Sequence, residues 1–257
     1  MGPYPLFACT DWSGLAADLD VLARDLICVS LVADPFGDWT VEQLDAVFPD
    51  RRHVFKEHLV VELGPSPVGR TSTHHQRFAA RGQRKVAVER VMAPLDLLDD
   101  WLALYSELIR RHEITGISAF SPESFARQLA VPGIIAFRAS ESGATVGATL
   151  WYLDRRVAYW HLAAYSSRGY KLDASYALMA AALEEFSDQG LEWASLGAGA
   201  GLRDEQSDGL TRFKAGWASG TRTAHFCGRI LDRERYAALS TKPSSFFPAY
   251  RGDTMAA

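Results

Sequence analysis

Cysteine is scarce in this sequence, and the three cysteines present lie far apart. Cys9, Cys28 and Cys227 match neither a metal-ligand spacing nor a disulfide framework, which suits a reducing compartment. The first residues also lack the charged and apolar segments of a signal peptide, and no uninterrupted apolar run is long enough to span a bilayer. We therefore expect a cytoplasmic protein with no membrane span.

A large excess of one charge sign is also missing. The net charge is −4, which argues against general coating of nucleic acid. The region 51–85 is nevertheless basic, since only Glu57 and Glu62 oppose its positive charges. These are Arg51, Arg52, Lys56, Arg70, Arg77, Arg81, Arg84 and Lys85. Such a stretch is either the binding surface of a phosphate-bearing partner such as tRNA or the solvated face of an arginine-rich helix.

Apolar residues are plentiful, at 48% of the sequence, and their spacing alternates between helical and strand periods. From residue 84 onward the patterns predict a strand, two helices, three strands, a helix, a strand, a helix and a strand. The short turn 154–156 predicts an antiparallel hairpin of residues 144–153 and 157–166. This order indicates an α+β fold, in which a mixed, largely antiparallel central sheet carries helices on its faces.

Three stretches of the sequence are similar to one known family. They are TSTHHQRFAARGQRKVAVERV at 71–91, AYSSRGYKLDASYALMAAALEEF at 164–186, and the strand LEWASLGAG followed by DGLTRFKAGW within 191–217. Together they resemble the GNAT N-acyltransferases and, within these, the Fem-type peptidyltransferases, which take amino acids from aminoacyl-tRNA. The resemblance covers residues 55 to 231 and implies a GNAT-like sheet with helices on both faces.

The resemblance implies a GNAT-like domain at 66–241, with a partial N-terminal GNAT-like half at 1–65 and a tail at 242–257. It also implies transfer of an aminoacyl or acyl group to a small-molecule or peptide amine, with aminoacyl-tRNA as the preferred donor and no tightly bound cofactor or metal. Two alternatives stay open. One is an acyl-CoA-dependent N-acetyltransferase, and the other is a non-catalytic GNAT-like module in cell-wall or polysaccharide assembly. The sequence leaves the oligomeric state open.

The turn before the helix predicted at 172–188 is the expected donor site. Acyl-CoA-dependent relatives carry Arg/Gln-x-x-Gly-x-Gly/Ala there, and its backbone N–H groups receive a pyrophosphate at a helix N-terminus. This sequence has Arg168 and Gly169 but places Lys171 and Asp173 where later glycines would stand. Because an aspartate repels a pyrophosphate, the departure favours the Fem-type donor. The donor-binding candidates are Arg168, Gly169, Tyr170, Lys171 and Arg212.

Three residues are the catalytic candidates. Lys214 follows Phe213 in an element similar to the Phe-Lys motif of Fem-type domains, and its ammonium is expected to meet a donor phosphate or the oxyanion of the tetrahedral intermediate. A lysine on a short helix is otherwise usually solvated. His161 is either the general base or water relay, or a packed histidine hydrogen-bonded inside the sheet. An unbulged strand would place Tyr159 and Tyr165 on the same face as His161, where they could hold the imidazole or pass on its proton.

The acceptor side is expected at residues 110–120, which join two predicted helices where GNAT enzymes shape the acceptor pocket. The acceptor-binding candidates are His112, Glu113, Ser118 and Phe120, together with Tyr159. The glycine run at 196–201 does not indicate a Rossmann dinucleotide site, because no βαβ unit with an acidic partner follows it. The sequence contains neither a Ser-His-Asp spacing nor a metal motif.

Overall fold

A computed structural model describes residues 6–116, 119–199, 209–240 and 244–251. The helices are α1 (Leu15–Leu22), α2 (Val41–Val47), α3 (Thr73–Gln83), α4 (Leu98–His112), α5 (Pro122–Leu129), α6 (Ser167–Lys171), α7 (Ala174–Asp188), α8 (Gly209–Trp217) and α9 (Arg233–Leu239). The strands are β1 (Cys28–Ala33), β2 (Arg51–Glu62), β3 (Ala87–Val91), β4 (Ile134–Glu141), β5 (Ala144–Asp154), β6 (Val157–Tyr165), β7 (Trp193–Gly197) and β8 (Gly220–Ile230). None of the helices described has both the length and the apolar composition that crossing a membrane requires.

Two compact units divide these elements. The first consists of residues 1–58 and 222–257, and the second consists of residues 59–221. These boundaries differ from the proposed divisions at 65/66 and 241/242, because most of β8 and all of α9 cluster with the N-terminal residues. A partial N-terminal GNAT-like half therefore stays a proposal.

In the first unit, β1 is antiparallel to β8, with Cys28 opposite Ile230 and Ala33 opposite His225. The core of this unit joins α1, α2 and β1; its larger buried members are Trp12, Leu15, Leu19, Leu31, Leu44 and Phe48. The helix α2 was not predicted. Its seven residues are too few for a clear helical period, and Thr40 starts it by a capping box with Gln43.

The sheet of the second unit has the strand order β2, β7, β6, β5, β4, β3. Its described neighbours are antiparallel except β6 and β7, which are parallel. The predicted hairpin of β5 and β6 is confirmed, with Asp154 opposite Val157 at the turn. The mixed, largely antiparallel α+β sheet expected from the sequence is therefore confirmed.

Helices cover both faces of this sheet. On the α7 face, α7 packs on the buried side chains of Phe137, Trp151 and Trp217. On the α4 face, α4 and α5 bury Trp101, Tyr105 and Phe125 against Ala148 and Leu150 of β5. Residues that alternate along β5 thus serve two separate cores, as expected for a strand buried on both sides.

The helix predicted at 172–188 is broken near its start. Asp173 has φ 60° and ψ 29°, in the left-handed region, and it separates the short α6 from α7. Helical periodicity did not reveal this break, because apolar residues continue at helical spacing across it. The predicted end of α7 is confirmed, since Gly190 follows it with φ 78°.

Candidate active site

Strands β6 and β7 pair only along their first residues. Residues 157–159 of β6 face residues 193–195 of β7, and the described ladder stops there although β6 continues to Tyr165. On its other edge, β6 stays paired with β5 as far as Tyr165 opposite Gly147. The two parallel strands therefore diverge after Tyr159, and backbone polar groups of β6 beyond that point can bond a bound molecule.

Lys214 of α8 lies beside this divergence. Its Nζ donates a 2.6 Å hydrogen bond to the carbonyl oxygen of Ala198, just after β7, and lies 5.4 Å from the ring centroid of Trp160 on β6. The residue is only 8% exposed, whereas a lysine on a short helix is usually solvated. The Lys214 ammonium is thus held at a defined position beside the divergence of β6 and β7. In the sequence, Asp208 is a possible N-cap for the helix that carries Lys214, and it lies outside the described residues.

Trp160 is held by a buried hydroxyl. Its indole Nε1 donates to Thr149 Oγ1 at 2.7 Å, and the Thr149 hydroxyl donates to the Leu162 carbonyl at 3.3 Å. Thr149 is 2% exposed. This network fixes the plane of the indole on which the Lys214 ammonium rests.

His161 occupies a β-bulge. Leu150 faces Leu162 but Trp151 faces Trp160, so His161 is the extra residue of β6. Its Nε2 lies 2.8 Å from Gln128 Oε1 of α5, and its ring lies 4.9 Å from that of Tyr152. Burial lowers the pKa of His161 to about 4. Because an amide oxygen only accepts, Nε2 carries the proton and Nδ1 carries the lone pair.

The bulge changes which candidates share a face of the sheet. Tyr159 faces Tyr152 on the α4 face, where His161 also lies. Tyr165 points to the α7 face, against Leu178 and the ring of Tyr170, whose centroid is 5.4 Å away. The expected common face thus holds for Tyr159 and His161 and fails for Tyr165. Burial raises the pKa of the Tyr165 phenol.

Groups of the protein itself occupy the start of α6. The backbone N–H of Ser167 donates to the Glu107 carboxylate at 3.1 Å, and that of Gly169 donates to Ser166 Oγ at 3.0 Å. Arg168 forms an ion pair with Glu141. A Cβ on Gly169 would lie 2.1 Å from the Val146 carbonyl oxygen, so the glycine is needed for packing against β5. The anion-binding groups of this turn are therefore largely engaged.

Asp173 has a different surrounding from the one expected. Its carboxylate accepts hydrogen bonds from Arg81 at 2.6 and 2.7 Å and from Lys85 at 3.1 Å. These cations, Arg81 foremost, lower the pKa of the Asp173 carboxyl, and its side chain is 7% exposed. The neutralised carboxylate faces α3, so the repulsion of a pyrophosphate inferred from the sequence is wrong as the physical reason against CoA.

Tyr170 and Lys171 lie at the exposed end of α6, and Tyr170 stacks under Arg111, whose Cζ is 4.2 Å from its ring centroid.

The basic stretch 51–85 divides between the two units. Several of its charges have internal partners: Arg52 pairs with Asp45, and Arg70 donates to the Glu62 carbonyl. Arg77 and Arg84, in contrast, are exposed and have no ion-pair partner among the described residues.

A cavity of about 430 Å³ lies between α3, α7 and α8. Its lining residues are Ser72, His74 and His75 at the start of α3, Tyr176 of α7, and Gly209, Arg212 and Phe213 of α8. Arg212 is exposed and has no ion-pair partner among the residues described. This places Arg212 with three residues that sequence reasoning did not select: Ser72, His75 and Tyr176.

The acceptor candidates do not form one described site. His112 is exposed at the end of α4, and Glu113 ends that helix with φ 50° in the left-handed region. Phe120 packs against Phe125 and Tyr105, with ring centroids 5.5 and 6.4 Å away. Ser118 lies outside the described residues. These four residues stay proposals for acceptor binding.

Two diverging parallel strands inside a mostly antiparallel sheet, with helices on both faces, form a sheet of the GNAT type. The family model described as "Acetyltransferase (GNAT) domain" matches residues 68–214, more than half of the chain. The chain therefore belongs to this family. No curated protein sequence matches it significantly.

Solved structures share the fold at low sequence identity. FemX is 11% identical, with a TM-score of 0.68 over 93% of this chain and 84% of FemX. The C-terminal domain of a protein described as a lysylphosphatidylglycerol synthetase, from Agrobacterium fabrum, is 16% identical. Its TM-score is 0.56 over 78% of this chain and 67% of that chain. L-PGS from Bacillus licheniformis is 15% identical, with a TM-score of 0.53 over 73% of this chain and 65% of that one. The Fem-like GNAT fold expected from the sequence is confirmed.

Proposed function

We propose that this acyltransferase moves an aminoacyl group from aminoacyl-tRNA to the amine of its acceptor, where β6 and β7 diverge. The observation that carries the proposal is the buried Lys214 ammonium between Trp160 and the Ala198 carbonyl. The acceptor amine attacks the carbonyl carbon of the aminoacyl ester, and negative charge develops on its oxygen. An ammonium has three donors, so Lys214 can stabilise that oxyanion while it keeps Ala198. The ester C–O bond then breaks, and the ribose oxygen leaves with a proton.

The state of the α6 turn supports a donor other than CoA. A pyrophosphate bound at a helix N-terminus needs backbone N–H groups that point at it. Here the N–H groups of Ser167 and Gly169 have partners in Glu107 and Ser166. The Glu107 carboxylate at this position also repels an incoming phosphate. Arg168, the expected donor-binding cation, is paired with Glu141.

Exposed arginines along α3 and on α8 support binding of a phosphate-rich donor. Arg77 and Arg84 project from α3, and Arg212 lines the cavity. Arginine binds phosphate with parallel hydrogen bonds and keeps its charge at every physiological pH. These positions suit the backbone of a polyanion, whereas one CoA molecule needs only a compact phosphate site.

His161 and Tyr165 stay proposed catalytic residues with separate tasks. His161 is neutral at pH 7 because burial lowers its pKa to about 4, so Nδ1 can accept a proton from the acceptor amine. Tyr165 remains protonated at that pH because burial raises its pKa, and it can donate to the leaving oxygen. They lie on opposite faces of β6. A direct proton exchange between them is therefore not part of the proposal.

Binding and transfer measurements with the two candidate donors, aminoacyl-tRNA and acetyl-CoA, test the proposal. Radiolabelled aminoacyl-tRNA should bind with an affinity that falls steeply as salt rises, because phosphate contacts release counterions. Lys214→Met should leave that binding intact and lose transfer to the acceptor. Micromolar binding of acetyl-CoA with no salt dependence, together with acetyl transfer to an amine, would instead establish the acyl-CoA-dependent alternative.

A further inference from the structure

A serine and a histidine form a hydrogen-bonded pair of side chains at the start of α3, apart from the Lys214 site. Ser72 is exposed, and its Oγ lies 2.8 Å from Nδ1 of His75. The other ring nitrogen, Nε2, lies 2.9 Å from the carbonyl oxygen of Phe213. Because a carbonyl only accepts, Nε2 carries the proton, and Nδ1 accepts from the Ser72 hydroxyl. A hydroxyl, a base and a group that orients the base thus stand in the order that activates a serine.

The imidazole of His75 is fixed and uncharged. It is 6% exposed and packs edge-on against the ring of Trp217, with centroids 5.1 Å apart. Gly216 lies directly against it, since a Cβ there would be 1.9 Å from His75 Cε1. Burial lowers the pKa of His75, so its lone pair is available at neutral pH. The base is therefore held in one orientation, as general-base catalysis requires.

Helix capping accounts for only part of this arrangement. Ser72 is the N-cap of α3, and its Oγ accepts from the His75 backbone N–H at 3.3 Å. Ser121 caps α5 in the same way, at 3.2 Å from the Ser124 N–H, with a serine in place of the histidine. A cap needs only an acceptor oxygen. The imidazole bond and the cavity that opens at Ser72 go beyond capping.

We propose that Ser72 is a nucleophile that takes an acyl group from an activated ester in this cavity. Ser72 Oγ attacks the carbonyl carbon while its proton passes to Nδ1 of His75. The bond from that carbon to the leaving oxygen breaks, and the leaving alkoxide takes the proton from His75. Arg212 lines the same cavity and supplies positive charge for the transient oxyanion. The products are an ester of Ser72 and a free alcohol, and water attack releases the acid in the same way.

The probe is p-nitrophenyl acetate, which needs neither acceptor nor tRNA. The wild-type chain should release a burst of p-nitrophenolate close to one equivalent, and one acetyl group should appear on Ser72 in the tryptic peptide that follows Arg70. Fragmentation separates Ser72 from its neighbours Thr71 and Thr73. Acetylation on either neighbour or none on this peptide would overturn the proposal.

Two variants and one control separate chemistry from folding. Ser72→Asn keeps a capping side chain and should abolish the burst, and His75→Gln should slow it about a hundredfold. Ser121→Asn changes the matching cap of α5 and should leave the burst unchanged. Because His75 is buried, its replacement can lower stability. Thermal denaturation therefore measures the folded fraction of His75→Gln, and its burst rate is expressed per folded molecule. A burst of wild-type rate in His75→Gln or in Ser72→Asn contradicts the assignment.

The proposal does not depend on Lys214. Lys214→Met should acetylate Ser72 at the wild-type rate although it loses transfer to the acceptor. Loss of both activities in Lys214→Met would show that the serine acts within the Lys214 site and would overturn a separate function. Failure of aminoacyl transfer with an intact burst would count only against the proposed donor.

Discussion

Lys214 rests on the face of Trp160, with its Nζ 5.4 Å from the centroid of the indole ring. The two residues come from different elements, α8 and β6, and meet beside the divergence of β6 and β7. A desolvated cation over an aromatic ring is worth about 2 kcal/mol or more. The contact therefore stabilises the ammonium in a place where a lysine would otherwise be costly to bury.

Replacement of Lys214 should separate catalysis from stability. Lys214→Met keeps most of the buried stem and removes the charge, so kcat should fall about a hundredfold or more, as when an oxyanion donor is lost. The Ala198 carbonyl also loses its partner, at about 1–3 kcal/mol of unfolding free energy. Turnover per folded molecule and chemical denaturation measure the two effects.

The matched control is Lys85→Met. Lys85 is another lysine with a buried partner, since it bonds the Asp173 carboxylate. This variant should lose stability and keep kcat at saturating donor. Equal kcat values for the wild type and Lys214→Met would show that Lys214 has no catalytic role.

His161 should make stability depend on pH in a defined window. The unfolded chain binds a proton on this residue below about pH 6.5, whereas the folded chain binds it only below about 4. Protonation therefore favours the unfolded state, and the free energy of unfolding should fall by about 3 kcal/mol as pH drops from 6.5 to 4. Above pH 6.5 this contribution is constant.

Denaturation curves at several pH values measure this effect. His161→Gln keeps a donor for Gln128 without an imidazole and should reduce the slope between pH 4 and 6.5, to which His75, whose pKa is also lowered, still contributes. If His161 is also the catalytic base, His161→Gln lowers kcat at pH 7 without changing donor affinity; a wild-type rate identifies a packed histidine.

Arginines on α3 should divide into donor-binding and structural residues. Arg77→Glu with Arg84→Glu should weaken aminoacyl-tRNA binding and reduce its salt dependence, because both side chains are exposed and without an ion-pair partner among the described residues. Arg127→Glu on α5 reverses an exposed charge elsewhere and should leave binding unchanged. Filter binding across a salt series checks both. Equal affinities for the double variant and the wild type would exclude this surface.

Arg81 should behave differently from its neighbours on α3. It forms two hydrogen bonds to Asp173, so Arg81→Ala should lower the free energy of unfolding by leaving the buried Asp173 carboxylate with Lys85 alone. The pKa of Asp173 is lowered, so this contribution is present above about pH 4 and is lost as pH falls through the folded pKa. Arg77→Ala should change stability little, and a similar loss in both variants would contradict the role of the pair.

Gly216 should not tolerate a side chain, because a Cβ would lie 1.9 Å from the buried ring of His75. Gly216→Ala should lower the unfolding free energy by about 1–3 kcal/mol through overpacking. Gly209→Ala, on the same helix, meets no atom of the described residues within 4 Å and should be neutral or slightly stabilising. Thermal melts compare the two, and equal melting temperatures would argue against the packing of His75 on α8.

The sequence by itself determined most of the local elements from residue 84 onward and the family. Turns act within a few residues, so the turn at 154–156 marked its hairpin correctly. The resemblance around Phe213 and Lys214 led to the GNAT family, which the match over 68–214 confirms.

Tertiary structure decided how the candidates are grouped. A one-residue bulge reverses which face later side chains occupy, and no residue type marks it, so Tyr165 lies away from His161. Asp173 acquires its cations 92 and 88 residues away in the chain, and Lys214 is buried where Trp160 and Ala198 contact it. Ser72 and His75 lie three residues apart in the sequence, yet the carbonyl of Phe213, 138 residues from His75, fixes which nitrogen can act as the base. Periodicity carries information over one or two turns of chain, whereas these contacts exist only after the sheet and helices have packed.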